Sequence, residues 1–240
     1  MRAPRTPVFP RFSELTHDNV NRDFQVHTSW TDGAATVSEV LARARQVGLA
    51  EIAFTEHARA TSDYYPDFFR EIDEQDDGAD GLTIYRGFEV KALDADGRLD
   101  MSDDMRGAAD IMLGSVHALV HEDGRRGPAA DFGEAEAREI ELALAKGIVT
   151  GGAADVLSHA GGMCLRTFGH FPLEAMEQLV VLAARRGVAF EINISYHRDI
   201  LDDLLPLLAR HDPPVSIGSD AHRLDELGAC RDALRECLSL

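Results

Sequence analysis

Cysteine is scarce in this chain, with three residues in 240: Cys164, Cys230 and Cys237. None forms a C-x-x-C pair, and an odd count does not suit a disulfide framework. Cys230 and Cys237 lie seven apart in a helical pattern, which predicts that both face a core. Long apolar runs are missing as well. Nothing approaches the ~18 consecutive apolar residues of a membrane helix. The N-terminal MRAPRTPVFPRF carries arginines without the apolar stretch of a secretory signal. Residues 1–20 therefore read as an irregular leader, residues 21–240 as a single domain, and the expected location is the cytoplasm. A basic stripe is also lacking: beyond Arg125–Arg126 and arginines at helix ends, nothing offsets a formal net charge of −18. Such a surface repels a polyphosphate backbone, so nucleic acid is disfavoured as a partner. A small anion is not excluded, because a few arginines inside a pocket dominate locally.

What is present is the composition of an ordinary globular protein, 45% hydrophobic and 28% charged, long enough to bury a core without staples. Apolar runs rich in β-branched and aromatic residues recur at Phe24–Thr28, Ile52–His57, Thr83–Val90, Asp110–His117, Asp155–Ala160, Ala189–Ile194 and Val215–His222. Most are continuous rather than alternating, as in strands buried on both faces of a parallel sheet. Between them lie amphipathic helices predicted at Thr36–Val47, Phe132–Lys146 and Leu173–Arg186, each followed by a glycine that serves as a stop: Gly48, Gly147 and Gly187. Lys91–Gly107, rich in Asp and Gly, reads as a loop with room for a short helix. Repeated strand–helix units imply parallel strands joined by right-handed crossovers. Seven of them favour a barrel, although the count alone leaves a doubly wound sheet open.

Nearly every predicted strand carries a metal-capable side chain near its C-terminal end. In order these are Gln25 and His27 with Asp32 in the following loop, Glu56–His57, Glu89, His117, His159, Glu191 with Asn193, and Asp220 with His222. In a parallel barrel such ends converge on one face, where active sites are built. Imidazole and carboxylate together suit Zn, Mn or Fe rather than Ca or Mg alone.

The string DFQVHTSWTDG resembles the first motif of the PHP (polymerase and histidinol phosphatase) family, and FTEH, GFE, GSVH, LSHA and GSDAH resemble its later motifs in the same order. The likeness spans Asp23 to His222 and implies an α/β fold of one domain, a distorted (β/α)7 TIM-like barrel. It also implies a cluster of two or three divalent ions. The ligands implied are His27, His57, Glu89, His117, His159, Asp220 and His222, with Asp32 as a further ligand and Glu89 able to bridge two ions. Gln25 stands where the family usually has its first histidine. Its neutral oxygen is a poorer donor for zinc, so one metal position is expected to be altered.

A close pair of divalent ions lowers the pKa of a bridging water until hydroxide exists near neutral pH, and steadies the phosphoryl oxygens. The expected function is therefore hydrolysis of a small phosphomonoester of the histidinol-phosphate, nucleotide or sugar-phosphate type, with Glu89, Asp220 and His222 catalytic. The alternatives are a phosphodiesterase or nuclease variant, and an inactive module that binds a partner. Arg166 and Arg198 are the candidates for gripping phosphate, as in histidinol-phosphatase-like proteins. Arg59 and Tyr64, after the His57 strand, are placed toward the organic half of the substrate, with Phe68 turned into the core and Trp30 lining the pocket or capping the first strand. His197 is a candidate proton donor, although an exposed loop histidine is the simpler reading. The oligomeric state is not legible.

Overall fold

The computed structural model describes residues 2–76, 78, 81–120 and 124–239, so residues 1, 77, 79–80, 121–123 and 240 of the two expected segments lie outside it. Seven parallel strands form one sheet: β1 (Arg22–Val26), β2 (Glu51–Ala58), β3 (Thr83–Lys91), β4 (Ile111–Ser115), β7 (Val156–Leu157), β8 (Ala189–Asn193) and β9 (Val215–Gly218), neighbours in that order. A short antiparallel ribbon, β5 (Leu119–Val120) with β6 (Arg126–Gly127), lies apart from it. The sheet curls until its edges meet. His27 N donates to Ala221 O (2.9 Å) and Ala221 N to Gln25 O (3.2 Å), joining the rim of β1 to the chain just after β9. The result is a nearly closed TIM-like barrel with helices between the strands, and the open-sheet alternative does not hold.

Continuous apolar runs form these strands because both faces are buried. Every residue of β1, β4, β8 and β9 is buried. The barrel interior is filled by Phe24, Ala53, Tyr85, Ile111, Leu113, Val156 and Ala189, while the larger core lies between sheet and helices. Residues 2–11 cross the floor of the barrel. Phe9 packs edge-on against Phe24 (centroids 6.0 Å), and the guanidinium of Arg2 grips the buried Asp110 carboxylate at 2.9 and 2.5 Å. Among the described residues no helix is long and apolar enough to cross a membrane.

The helices follow their sequence signals with one instructive exception. Helix α1 (Val37–Gln46) starts from a capping box in which Thr36 Oγ1 accepts from Glu39 N, and Gly48 leaves it at φ +71°. After α2 (Tyr65–Gln75), the Asp-rich stretch supplies the short α3 (Asp103–Ala108). Helix α4 runs Glu134–Gly151, straight through the expected stop at Gly147, and ends at the left-handed Gly152. Gly147 is there for close packing: a Cβ on it would stand 2.6 Å from Ala95 O, so the 94–97 loop can press on the helix only where there is no side chain. Helix α5 (Gly162–Phe168) follows β7, and α6 (Leu173–Arg186) ends at Gly187 as predicted. The short α7 (Ile194–His197) follows β8 directly, then α8 (Leu201–His211), and α9 (Ala229–Leu238) closes the chain. Cys230 is buried in α9 with its thiol on Ile192 O, but Cys237 is exposed. The shared-face expectation fails for Cys237 because it sits in the last turn of α9, past the point where the barrel covers that face.

Candidate metal centre

Five of the strands end earlier than their apolar runs suggest, β2 and β3 run one residue longer, and the rim histidines sit at or just beyond the strand ends. His57 and Glu89 are still within β2 and β3 and are directly paired in register. His27, His117 and His159 follow β1, β4 and β7 by one or two residues, and Asp220 and His222 follow β9. Two of these positions need unusual backbone: His159 has φ +24° and Asp220 φ +53°. Non-glycine residues there cost about 1–3 kcal/mol each, a strain that persists where the surroundings hold a side chain in place.

The sequence candidates converge. Glu89 is buried at the hub: its Oε1 lies 2.7 Å from His159 Nε2 and 3.0 Å from His117 Nε2, and its Oε2 lies 3.0 Å from His57 Nδ1 and 3.7 Å from His27 Nε2. His27 Nε2 is also 3.2 Å from Asp220 Oδ1. Farther out, Asp32 reaches His57 Nε2 (3.3 Å) and His222 Nε2 (3.5 Å). Among the described residues, three donor sets therefore have ligand atoms all within 4.8 Å of one another: His27, Glu89 and Asp220; His57, Glu89 and His117; and His27, Asp32, His57 and His222. The inner donors are sealed from solvent, whereas His57, His117 and His222 keep about a third of their side-chain surface.

Hydrogen bonding alone leaves this cluster incomplete. Neither ring nitrogen of the buried His27 has a partner in hydrogen-bonding geometry among the described residues, and neither has Glu89 Oε2. Buried polar atoms of this kind are normally satisfied, so the donor set fits divalent cations. His117 Nε2 and His159 Nε2 face each other at 3.2 Å around one carboxylate oxygen, a contact that suits two ligands converging on an ion. His222 Nδ1 donates to Asp220 O (2.8 Å), which fixes the tautomer and turns the Nε2 lone pair toward Asp32. Burial opposes charge on His27 and His159, but the facing carboxylates prevail and raise both to about 9. Burial likewise opposes ionisation of Glu89, yet His117, His159 and His57 hold its carboxyl well below the usual range.

Gln25 is buried in the barrel beneath the hub. Ser195 N bonds Asn193 Oδ1 (3.0 Å), so Asn193 Nδ2 must face inward, where it donates to Gln25 Oε1 (2.7 Å) and Glu191 Oε2 (3.1 Å). The one ligating atom of Gln25 is thus engaged by Asn193 rather than turned to the carboxylates.

The remaining candidates separate. Two recesses open from the centre. One, about 360 Å³, is walled by Thr31, Arg59, Ser62 and Lys91 beside His57, Glu89 and His117. The other, about 310 Å³, is walled by Arg166, Ser195, Tyr196 and Glu226 beside His57, Glu89, His117, Asp220 and His222. Arg166 lies 4.2 Å over the Tyr196 ring, which stacks on His159 (centroids 4.4 Å). Arg198 lines neither recess and is exposed. It stands two residues beyond Tyr196 on a helical turn, roughly 200° around the axis. Tyr64 spends its hydroxyl on His57 O (2.8 Å) and stacks on Trp30, whose indole N–H donates to Glu71 (2.7 Å). The pair backs His57 rather than facing a recess, and Phe68 is buried as expected.

His197 departs most from its sequence reading. It is fully buried, accepts from Asn193 N at Nδ1 (3.2 Å) and donates from Nε2 to Ala160 O (3.0 Å). Burial lowers its pKa to about 4, so it is a neutral brace and neither an exposed histidine nor a proton donor. Three further acids support the site: Glu56 and Glu191, metal-capable by sequence, act here as hydrogen-bond acceptors, and Asp23 joins them without having been a site candidate. Asp23 accepts from Ser219 N (2.9 Å) and Gly228 N (2.8 Å), steadying the Asp220 loop. Glu56 takes both donors of Thr28 (2.7 and 2.6 Å) and the Thr31 hydroxyl, shaping the loop that carries Asp32. Glu191 accepts from His159 N (2.7 Å). Each is an acid inside an apolar strand, a pattern that marks a buried partner without naming it.

Fold and site together define a parallel α/β barrel whose C-terminal rim gathers histidine, aspartate and glutamate donors that fit divalent metal. The PHP domain model matches residues 23–195, and the chain belongs to the PHP domain family. It is 24% identical over 219 residues to the Bacillus subtilis "DNA polymerase/3'-5' exonuclease PolX", covering 87% of this chain and 35% of that protein. It is 29% identical over 176 residues to a Shewanella oneidensis protein named "Probable phosphatase", covering 72% and 62%. The chain thus spans about a third of the first and about three fifths of the second. Histidinol phosphate phosphatase from Lactococcus lactis, solved with zinc, L-histidinol and phosphate, superposes with a TM-score of 0.70 at 20% identity, covering 91% of this chain and 92% of that one.

Proposed function

We propose that the chain is a metal-dependent hydrolase of small phosphomonoesters. The observation that carries this reading is the hub at Glu89, where one buried carboxylate meets four imidazoles and leaves donor atoms without hydrogen bonds. His27, His57, Glu89, His117, His159, Asp220 and His222 would hold two or three divalent ions (Zn, Mn or Fe), with Asp32 completing the outermost position and Gln25 set back from it. Bound there, the ions would supply hydroxide near neutral pH and positive charge for the phosphoryl oxygens. The oxygen of water joins phosphorus while the ester bond breaks, and the proton given up by water ends on the departing oxygen. Asp220 orients the attacking water, and Arg166, braced on Tyr196, presents its fork to the phosphate. The names of the Shewanella and Lactococcus proteins support the phosphomonoester reading over the diester one. The acidic surface speaks in the same direction, against long nucleic acids.

The experiment is elemental analysis of protein purified without chelator, paired with phosphate release from a panel of phosphomonoesters. Two or more ions per chain with turnover are expected; no ion and no turnover after adding Mn or Zn would leave the binding-module alternative. On the best substrate, Arg166→Ala should raise KM by roughly 10-fold or more through loss of a charged hydrogen bond. Arg198→Ala should stay within about twofold, and equal losses in the two variants would show that the assignment to Arg166 is wrong.

A further inference from the structure

The two recesses differ in charge. The one beyond Arg166 mixes its arginine with Glu226. The other carries two cations, Arg59 and Lys91, and among the described residues the one carboxylate in its wall is the hub residue Glu89. Both cations are placed by the strands. Lys91, one of two lysines in the chain, ends β3 two residues after Glu89, and alternation puts it on the same face. Arg59 stands two residues after His57, just past β2. Its backbone N donates to Ser62 Oγ (3.0 Å), which closes the turn and leaves the Ser62 O–H free to donate. The Arg59 side chain has no ion-pair partner among the described residues. Lys91 Nζ forms a long, partly exposed ion pair with Asp100 Oδ2 (3.6 Å), while Asp100 Oδ1 accepts from Ala60 N (3.1 Å) and ties the lysine to the Arg59 turn.

A phosphoryl group held by the ions and by Arg166 has no need of two more cations in the other recess. In a chain of net charge −18, their meeting there calls for a separate anion. We propose that the substrate bears a second anionic group, a carboxylate or another phosphate, on the alcohol that is released, and that Arg59, Lys91 and the Ser62 hydroxyl bind it. This rests on the phosphoesterase reading and narrows its substrate class. An amino-alcohol leaving group would meet two like charges in this recess.

Three phosphomonoesters of similar size separate the cases: 3-phosphoglycerate releases an anion, glycerol 3-phosphate a neutral alcohol and phosphoethanolamine a cation. With metal-loaded protein at low salt, kcat/KM should favour 3-phosphoglycerate over glycerol 3-phosphate by about tenfold, as for partly exposed charge pairs, and over phosphoethanolamine by more. In the Arg59→Ala/Lys91→Ala double variant the first ratio should fall to within about twofold. In Arg59→Glu/Lys91→Glu the order should turn toward phosphoethanolamine. A wild-type ratio near one, a preference for phosphoethanolamine, or a ratio unchanged in the double variants overturns the proposal. If neither these esters nor p-nitrophenyl phosphate is hydrolysed, the phosphoesterase reading has failed by itself. Calorimetric binding of 3-phosphoglycerate against glycerol 3-phosphate then decides the recess: tighter binding of the diacid that is lost in Arg59→Ala/Lys91→Ala supports it, and equal binding refutes it.

Discussion

Replacing Glu89 with glutamine should abolish phosphate release to within measurement, a loss on the order of 1,000-fold or more in kcat/KM, or about 4 kcal/mol of transition-state stabilisation. The substitution keeps size and shape but removes the one charge that faces His27, His57, His117 and His159 together. An amide cannot bridge two cations as a carboxylate does, because half of it is a donor with no lone pair to offer. Metal content should therefore drop by at least one ion per chain. The comparison that isolates this effect is Asp225→Asn, an exposed carboxylate paired with Arg223, which should retain full metal content. Unchanged stoichiometry and activity in Glu89→Gln would remove the hub from the mechanism.

Stripped of metal, the protein should become less stable as the pH rises from 7 to 9, by on the order of 5 °C in melting temperature. The sign follows from His27 and His159, whose pKa values rise to about 9 in the fold as their carboxylate neighbours outweigh burial. A base raised above its unfolded value of about 6.5 contributes stability that is complete below that value and is lost as the pH passes the folded one. Glu191, pushed up to about 7 chiefly by burial, has the same sign, but its contribution is lost mainly between its unfolded value and about 7 and adds little above that. On the proposed ligand set, bound divalent ions would take the place of the histidine protons, so metal-loaded protein should lose this trend and gain most from metal at the alkaline end. Thermal melts at pH 7 and 9, with and without Zn or Mn, measure all four corners. A flat ion-free profile would mean that the histidines are not held by their carboxylates.

Much of this architecture was readable along the chain. Apolar runs such as FQVHT and IAFTEH announce buried parallel strands, and a histidine or acid closing each run announces the rim. The misreadings share a cause. Gly147 looked like a helix stop because a glycine reports only a missing Cβ, whether the chain ends there or another segment presses against it. Arg198 and Arg166 looked alike as loop arginines, yet a single helical turn after β8 sends Tyr196 to the rim and Arg198 to solvent. His197 looked exposed because nothing nearby reveals that Ala160 O, 37 positions away, would accept its proton.

By itself the sequence determined the donors and their order, one set to each strand end, because strand periodicity and parallel crossovers leave them no other face. It also determined the acidic surface and the absence of a disulfide framework. Only the tertiary structure decided which donors come within reach of one another, that the Gln25 oxygen is taken by Asn193, and that Arg59 and Lys91 share one recess. Those relations join residues from different strands across a closed barrel. Their distances depend on register, on the joining of β1 to the end of β9, and on the left-handed turns at His159 and Asp220, none of which a local pattern encodes.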